Sequence, residues 1–243
     1  MGGRKCRREK LSPCSFETEY QEEQFDMDLE IPSMVPKNEN QKKYNRVLYS
    51  NKPMIFATGP AGTGKTMLAC YAAINGLNDD AYNKIILTRP TVSVEEDIGY
   101  LPGTLEEKMD PWTRPILDIF SEFYTQNQIQ YMLKEKTIEI CPLAYMRGRT
   151  FKNAYIIADE MQNSTPNQMK MLLTRIGENS KMVITGDLNQ HDRKYEENGL
   201  KDIFEKLNNK TYKRIECITF DHEDIERSPI VKDILDIYGD LKK

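Results

Sequence analysis

An eight-residue segment that begins at Gly59 and ends at Thr66 has the composition and spacing of a phosphate-binding loop. Its sequence, GPAGTGKT, fits the pattern G-x-x-x-x-G-K-[ST] at every fixed position. Glycines let the backbone approach a phosphate without a Cβ in the way, and the exposed amide N–H groups form an anion-binding nest at a helix N-terminus. Lys65 would bring a full positive charge to the β- and γ-phosphates, and Thr66 would offer its hydroxyl to Mg²⁺. The predicted phosphate-binding residues are Gly59, Pro60, Ala61, Gly62, Thr63, Gly64, Lys65 and Thr66.

The segments on either side favour phosphate binding over a glycine-rich turn that contains a lysine by chance. A short apolar run over 54–58 predicts a buried strand that leads into the loop. The apolar segment 67–74 predicts a helix that follows the loop. A strand, a glycine loop and a helix in this order are the structural context in which such loops bind phosphates.

A second apolar run, over 154–158, ends in the adjacent carboxylates Asp159 and Glu160. Ligands of open α/β sheets bind at the carboxyl ends of the strands, which would place both carboxylates near the loop. There Asp159 could hold Mg²⁺, and Glu160 could polarise an attacking water molecule. The alternative is a solvated Asp-Glu pair at a strand end, and the phosphate loop earlier in the chain favours the functional interpretation.

A third strand end repeats this arrangement with an uncharged side chain. The apolar run 182–185 is followed by a glycine turn and then by Gln190. An amide can both donate and accept hydrogen bonds, which suits a sensor that bridges the γ-phosphate and the attacking water. The alternative is an isolated surface glutamine in a loop.

Buried strands alternate with helices along the chain, which predicts an α/β fold with a mostly parallel sheet flanked by helices. The predicted strands are 54–58, 84–88, 137–140, 154–158, 182–185 and 212–219, and the predicted helices are 67–74, 112–123, 165–176, 199–207 and 229–238. The segment 89–115 contains four prolines and two glycines, so it is predicted to be a long irregular loop with a functional or interaction role.

The first thirty residues separate by charge into a basic stretch, 4–10, and an acidic stretch, 17–30. We expect residues 1–30 to form a flexible tail and residues 31–243 to form one domain. The alternative for the basic stretch is an arm that contacts nucleic acid.

The composition excludes several classes of protein. The net charge is −4, from 34 basic and 38 acidic residues, so any contact with nucleic acid needs a local basic patch. No run is long and apolar enough for a membrane span, and no secretory signal is evident, so we expect a cytoplasmic protein without a membrane partner. Five dispersed cysteines and two histidines support neither a disulfide framework nor a zinc site.

Six motifs together resemble the PhoH family of P-loop ATPases, which is related to the first motor domain of superfamily 1 helicases. In chain order they read GPAGTGKT, TRPTVSVEEDIGYLPGTLEEKMDPWTRPI, PLAYMRGRTF, ADEMQN, QMKMLLTRIG and TGDLNQ. The resemblance extends from about Pro36 to Tyr238, and the second and third motifs are not general features of phosphate-loop proteins. It implies a single RecA-like domain that binds ATP with Mg²⁺ and hydrolyses the ATP.

The same resemblance implies further site residues. Gln41 is similar to the family's adenine-reading glutamine, although it could be an ordinary glutamine at a helix start. Arg227 is implied as an arginine finger, with Arg175 as a rival, and either could instead form a surface ion pair.

Because one phosphate loop implies one motor domain, we expect a neighbouring subunit to supply the arginine finger. Head-to-tail contacts of this kind close into rings, and the resemblance implies a homo-oligomeric ring of six subunits. The expected nucleic-acid partner is RNA or single-stranded DNA. The residues expected to contact it are the segment 89–115, Arg147 and Arg149, with Tyr100, Trp112 and Tyr145 as stacking platforms.

Alternative interpretations remain open at this point. These aromatic and basic residues could instead pack the long loop or a subunit interface. The chain could be a slow ATPase that acts as a nucleotide-gated binding or signalling module without unwinding activity. It could also be a small-molecule kinase, although Glu160 and the TGDLNQ segment favour water as the acceptor.

Overall fold

The computed structural model of the chain describes residues 34–90, 105–190, 197–207 and 210–228, together with positions 230, 231, 234 and 237. For residues 105–112 only the backbone is described. The predicted tail, the segment 91–104 with Tyr100, the side chain of Trp112 and part of the predicted helix 229–238 lie outside the described residues.

Six parallel strands form one sheet in the order β3-β2-β4-β5-β1-β6. The strands are β1 (Met54–Thr58), β2 (Lys84–Thr88), β3 (Ile138–Ile140), β4 (Ala154–Ala158), β5 (Lys181–Gly186) and β6 (Ile215–Thr219). Every predicted strand is present, and β1, β2 and β4 have the predicted bounds. Strand β5 lies between β1, which leads into the glycine loop, and β4, which leads into the acidic pair. This order confirms the predicted α/β fold of a single RecA-like P-loop domain.

Within residues 34–90, 105–190 and 197–207, six α-helices cover the two faces of the sheet. They are α1 (Glu39–Leu48), α2 (Lys65–Asn78), α3 (Leu105–Phe120), α4 (Gln126–Lys134), α5 (Pro166–Leu173) and α6 (Gly199–Leu207). Strand β4 is buried at all five positions, because its alternate residues enter two different cores. Tyr155 and Ile157 pack with α1 to α4, whereas Ile156 and Ala158 pack with α5 and α6. Burial on both faces explains why these strands are continuous apolar runs.

Two helices were not predicted from the sequence, although each carries a recognisable start signal. Asn38 caps α1 by accepting a hydrogen bond from the backbone N–H of Gln41 at 2.8 Å. Thr125 and Gln128 form a capping box at the start of α4. Both helices are mostly polar, and few of their side chains are buried: Gln41, Tyr44 and Leu48 in α1, and Ile129 and Met132 in α4.

The prediction of an irregular loop over 89–115 is wrong from residue 105 onwards, where the chain forms a helix. Helix α3 begins at Leu105 and continues through Pro111 and Pro115 to Phe120. Proline removes a backbone donor and disfavours a helix interior. Ile116 and Phe120, one helical turn apart, are nevertheless fully buried in the core that also holds α2, and this burial outweighs the lost hydrogen bonds.

Among the described residues, none of the helices has the length and apolar character that crossing a bilayer requires.

Candidate nucleotide-binding site

A cavity of about 370 Å³ lies at the carboxyl edge of the sheet, where β1, β2, β4 and β5 end. It is lined by the phosphate loop, by residues at the ends of the other three strands, and by Pro115, Ile116 and Ile119 of the helix that ends at Phe120. Its polar and charged lining residues include Lys65, Thr66, Arg89, Asp159, Glu160, Asp187 and Gln190. The structure therefore brings the predicted phosphate loop, acidic pair and glutamine together around one space. We call this space the phosphate cavity.

The backbone of the loop requires glycine at its first residue. Gly59 has a φ of +142°, and a Cβ there would lie 2.4 Å from the carbonyl oxygen of Phe220. Because that oxygen belongs to the backbone, it cannot move aside for a side chain. The N–H of Phe220 in turn donates to the carbonyl of Thr58 at 2.7 Å, so the segment after β6 fixes the base of the loop.

The ammonium group of Lys65 is held by the loop itself. It donates to the carbonyl oxygens of Gly59 and Pro60 at 2.7 and 2.6 Å, and to the hydroxyl of Thr63 at 3.1 Å. Burial lowers the pKa of Lys65, while the carboxylates of Asp187 and Glu160 oppose that shift. The cation is therefore already positioned at the phosphate cavity.

The carboxylate of Asp159 is buried and is held by two hydroxyl groups. Thr66 Oγ1 donates to Asp159 Oδ1 at 2.7 Å, and Thr185 Oγ1 donates to the same oxygen at 2.5 Å. Magnesium is commonly bound by one or two protein oxygens together with phosphate oxygens and water. The hydroxyl of Thr66 and the carboxylate of Asp159 fit such a set. The described residues contain no cluster of three His, Cys, Asp or Glu side chains that could hold a metal ion without phosphates.

Glu160 faces the phosphate cavity from a left-handed backbone conformation, with a φ of +53°. Its Oε2 accepts a hydrogen bond from Gln162 Nε2 at 2.5 Å, and its Oε1 lies 3.6 Å from Arg89 Nη2. Gln162 Oε1 accepts a hydrogen bond from the backbone N–H of Asp187 at 3.1 Å. Gln162 therefore links the residues after β4 to the residues after β5.

Gln190 lines the phosphate cavity, as the sequence predicts. Its backbone N–H donates to the carbonyl of Asp187 at 3.3 Å, which forms a tight turn after β5, and its side chain is exposed. The adjoining residues 191–196 lie outside the described part of the chain.

Gln41 is buried beside the phosphate loop, and its amide binds backbone groups. Its Nε2 donates to the carbonyl of Thr63 at 3.1 Å, and its Oε1 accepts from the N–H of Lys37 at 2.8 Å. In this conformation it joins α1 to the loop. The adenine-reading role stays a prediction.

The two candidate arginine fingers lie in different places. Arg227 is exposed and lies over Gly62 of its own loop, where a Cβ would be 2.4 Å from Arg227 Nε. The N–H of Glu226 donates to the carbonyl of Gly62 at 3.0 Å. Arg227 therefore contacts the phosphate loop of its own chain, because the segment after β6 folds back onto the loop, and the role of an arginine finger stays a prediction.

Arg175 lies two residues after the end of helix α5, away from the residues that line the phosphate cavity. Its guanidinium donates to the carbonyls of Met171 and Arg149 at 3.2 and 3.1 Å, and to the hydroxyl of Thr174 at 3.1 Å. Arg175 also lines a second cavity, described below.

The site contains further polar side chains that the sequence motifs do not indicate: Arg89, Gln162, Thr185 and Asp187. Arg89 and Asp187 follow buried strands directly, so the strand-end rule that selected Asp159 could have found both. Thr185 lies within β5, and only the three-dimensional register shows that it contacts Asp159.

Comparison with known proteins agrees with this geometry. The profile of the family described as PhoH-like protein matches residues 33–239. The chain is 43% identical over 224 residues to the PhoH-like protein of Bacillus subtilis (strain 168), covering 92% of this chain and 69% of that protein. It is 39% identical over 209 residues to the protein PhoH of Escherichia coli (strain K12), covering 85% of this chain and 58% of that protein.

The chain belongs to the PhoH-like protein family. It spans 58% and 69% of the lengths of these two relatives. The solved structure of the Pif1 helicase from Candida albicans aligns with a TM-score of 0.41 at 16% identity, covering 84% of this chain and 44% of that chain. Family membership and the phosphate loop make the chain a P-loop NTPase.

The hydroxyl of Thr185 is expected to maintain the metal-binding orientation of Asp159. Thr185→Val removes one of two hydrogen bonds to the carboxylate without changing the size of the side chain. Loss of such a supporting hydrogen bond typically costs about 10- to 100-fold in metal affinity. We expect a similar rise in the Mg²⁺ concentration needed for half-maximal binding of a non-hydrolysable ATP analogue.

Thr88→Val is the matched control, because the buried Thr88 hydroxyl has no hydrogen-bond partner among the described residues. An unchanged Mg²⁺ requirement in Thr185→Val would contradict the supporting role of Thr185.

Proposed function

We propose that the chain binds ATP together with Mg²⁺ and hydrolyses it. The observation that carries this proposal is the arrangement of one cavity, in which the phosphate loop faces Asp159 and Glu160. The carboxylate of Asp159, which accepts a hydrogen bond from Thr66, is suited to metal binding. The adjacent carboxylate of Glu160 is a separate group for water activation. This division of roles is typical of phosphoryl transfer to water.

The loop residues bind and orient the triphosphate. The backbone amides of 59–66 would cradle the phosphates, and Lys65 would exchange its loop carbonyl acceptors for phosphate oxygens. Thr66 and Asp159 would hold Mg²⁺, which when bound neutralises charge on the phosphates.

Glu160 and Gln190 act on the attacking water. The water oxygen forms a bond to the γ-phosphorus while the bond to the β,γ-bridging oxygen breaks, which releases ADP and phosphate. Glu160 accepts the proton of the water and returns it to the products. Gln190 orients the water against the γ-phosphate through its amide.

Glu160→Gln is expected to bind an ATP analogue at least as tightly as the wild type and to lose turnover by about 100-fold or more, since a positioned base typically contributes that much. Steady-state phosphate release and binding of a fluorescent ATP analogue measure the two properties separately. Glu178→Gln is the control, because Glu178 is exposed and pairs with Lys152 on the surface. Near-wild-type turnover in Glu160→Gln would refute the role of Glu160 as the base.

The proposal extends to a homo-oligomeric ring of six subunits in which an arginine from one subunit completes the site of its neighbour. Arg227 already lies on its own loop, so it fits a role within its own subunit. Arg175 lies outside the residues that line the phosphate cavity of its own chain, and its action on a neighbour requires its guanidinium to leave Met171, Arg149 and Thr174.

Complementation between variants tests this assignment. Lys65→Ala and Arg175→Ala are each expected to be inactive, and their mixture is expected to recover turnover, because Lys65→Ala subunits still supply Arg175. The mixture of Lys65→Ala with Arg227→Ala is expected to stay inactive. Light scattering with the ATP analogue and Mg²⁺ should show an oligomer. A monomer would contradict the ring, and no recovery in the first mixture would contradict the assignment of Arg175.

A second cavity supports an action on RNA or single-stranded DNA. It has a volume of about 730 Å³ and lies between α5 and the 3₁₀ helix Leu143–Met146. Its charged lining residues are Arg147, Lys170 and Arg175, and no described carboxylate lines it. Tyr145 belongs to the same 3₁₀ helix and is 61% exposed, as a platform for base stacking would be. We call this cavity the basic groove.

Arg149, expected to contact nucleic acid, is instead engaged within the fold. Its guanidinium binds both carboxylate oxygens of Glu139 and lies 4.7 Å from the centre of the Phe151 ring. Arg147 and Lys170 are exposed, and we assign the contacts with nucleic-acid phosphates to these two residues.

The double variant Arg147→Ala/Lys170→Ala is expected to weaken binding of single-stranded RNA. Loss of two phosphate contacts should reduce the slope of log K against log salt by about 1.4, at roughly 0.7 per phosphate for single strands. Fluorescence anisotropy over a salt series measures this slope. Lys201→Ala/Lys213→Ala removes two exposed lysines elsewhere and is the control. Equal slopes for the wild type and the groove variant would contradict the assignment.

A further inference from the structure

Arg89 stands at the carboxyl edge of the sheet beside the acidic pair. It follows β2 directly, and β2 pairs with β4 so that Thr88 lies opposite Ala158. The N–H of Asp159 donates to the carbonyl of Thr88 at 2.9 Å. This register brings Arg89 next to Asp159 and Glu160, and its side chain lines the phosphate cavity.

The guanidinium of Arg89 forms an ion pair with Glu160. Its Nη2 lies 3.6 Å from Glu160 Oε1, and the Arg89 side chain is only 25% exposed. The other carboxylate oxygen, Oε2, accepts the 2.5 Å hydrogen bond from Gln162. Both oxygens of the proposed base therefore face donors from the chain itself, which compete with a water molecule for them.

The charges around the phosphate cavity make this ion pair exchangeable. Among the described residues, its lining contains the cations Lys65 and Arg89 and the carboxylates of Asp159, Glu160 and Asp187. A terminal phosphate carries more negative charge than a carboxylate and offers three oxygens to a guanidinium. Arginine binds phosphate in a bidentate manner that lysine cannot reproduce. An incoming triphosphate therefore competes with Glu160 for Arg89.

We propose that Arg89 exchanges the Glu160 carboxylate for the terminal phosphate of a bound nucleoside triphosphate, and that this exchange frees Glu160 to accept the proton of the attacking water. The inference rests on the function proposed above. A diphosphate has no terminal phosphate at this position, so Arg89 stays with Glu160. Arg89 is thus a catalytic residue that distinguishes triphosphate from diphosphate and makes the base available only when the substrate is complete.

The ratio of two affinities tests this role without turnover. Dissociation constants of Mg²⁺-bound non-hydrolysable ATP analogue and of Mg²⁺-bound ADP are measured for the wild type, Arg89→Ala and Arg89→Lys. A hydrogen bond to a charged group corresponds to about 10- to 100-fold in affinity, so Arg89→Ala should reduce the preference for the triphosphate by that factor. Arg89→Lys should lie between the two, because it keeps the charge and loses the bidentate geometry.

The matched control is Arg214→Ala. Arg214 is exposed, and its carbonyl accepts a hydrogen bond from the N–H of Met54 at the start of β1, so it lies at the opposite edge of the sheet. Its replacement should leave the affinity ratio unchanged.

An unchanged affinity ratio in the Arg89 variants would overturn the inference. If both affinities fell by the same factor, the result would indicate a structural role for Arg89. Arg89→Lys decides the question if thermal melting shows that Arg89→Ala does not fold. Wild-type protein that binds no analogue would refute the proposed function itself. Wild-type protein that binds and hydrolyses ATP, with an unchanged ratio in the Arg89 variants, would refute only the exchange.

A double-mutant cycle tests the ion pair directly. Glu160→Gln should raise the affinity for the analogue, because Arg89 is no longer held by a carboxylate. The same change in an Arg89→Ala background should give a smaller rise, since only the repulsion between Glu160 and the phosphates is removed. Equal rises in the two backgrounds would contradict the exchange.

Discussion

The hydrogen bond from Thr66 Oγ1 to Asp159 Oδ1, 2.7 Å long, joins the two halves of the site across 93 positions of sequence. It can form only because the sheet is parallel, so that the glycine loop after β1 and the acidic pair after β4 meet at the same edge. The inserted strand β5 adds the hydroxyl of Thr185 to the same carboxylate oxygen. Metal binding, phosphate binding and water activation all depend on this convergence of strand ends.

The strands and the core of the site could be predicted from the sequence because both follow short-range rules. Strands β1, β2 and β4 are continuous apolar runs, and their burial on both faces makes their ends sharp. The glycine loop has fixed spacing, and the rule that ligands bind at carboxyl strand ends selected Asp159, Glu160 and Gln190. All of these residues line one cavity in the structure.

Features that depend on contacts between distant segments could not be predicted. The second half of helix α3 agrees with the predicted helix 112–123, whereas its first half, residues 105–111, was not predicted because proline disfavours a helix interior. Arg227 lies on its own loop because the segment after β6 folds back over Gly62. Arg149 is engaged by Glu139, a partner that its own motif does not contain.

Calorimetric titration of the chain with a non-hydrolysable ATP analogue and Mg²⁺ tests the central claim most directly, with Lys65→Ala as the comparison. The Lys65 ammonium is already held at the phosphate cavity by the carbonyls of Gly59 and Pro60. We expect phosphate oxygens to replace these carbonyls as its hydrogen-bond acceptors when the nucleotide binds. We predict that each wild-type chain binds one molecule of the analogue, that this binding requires Mg²⁺, and that it is lost in Lys65→Ala. No binding to the wild type with Mg²⁺ present, or equal binding to both proteins, would contradict it.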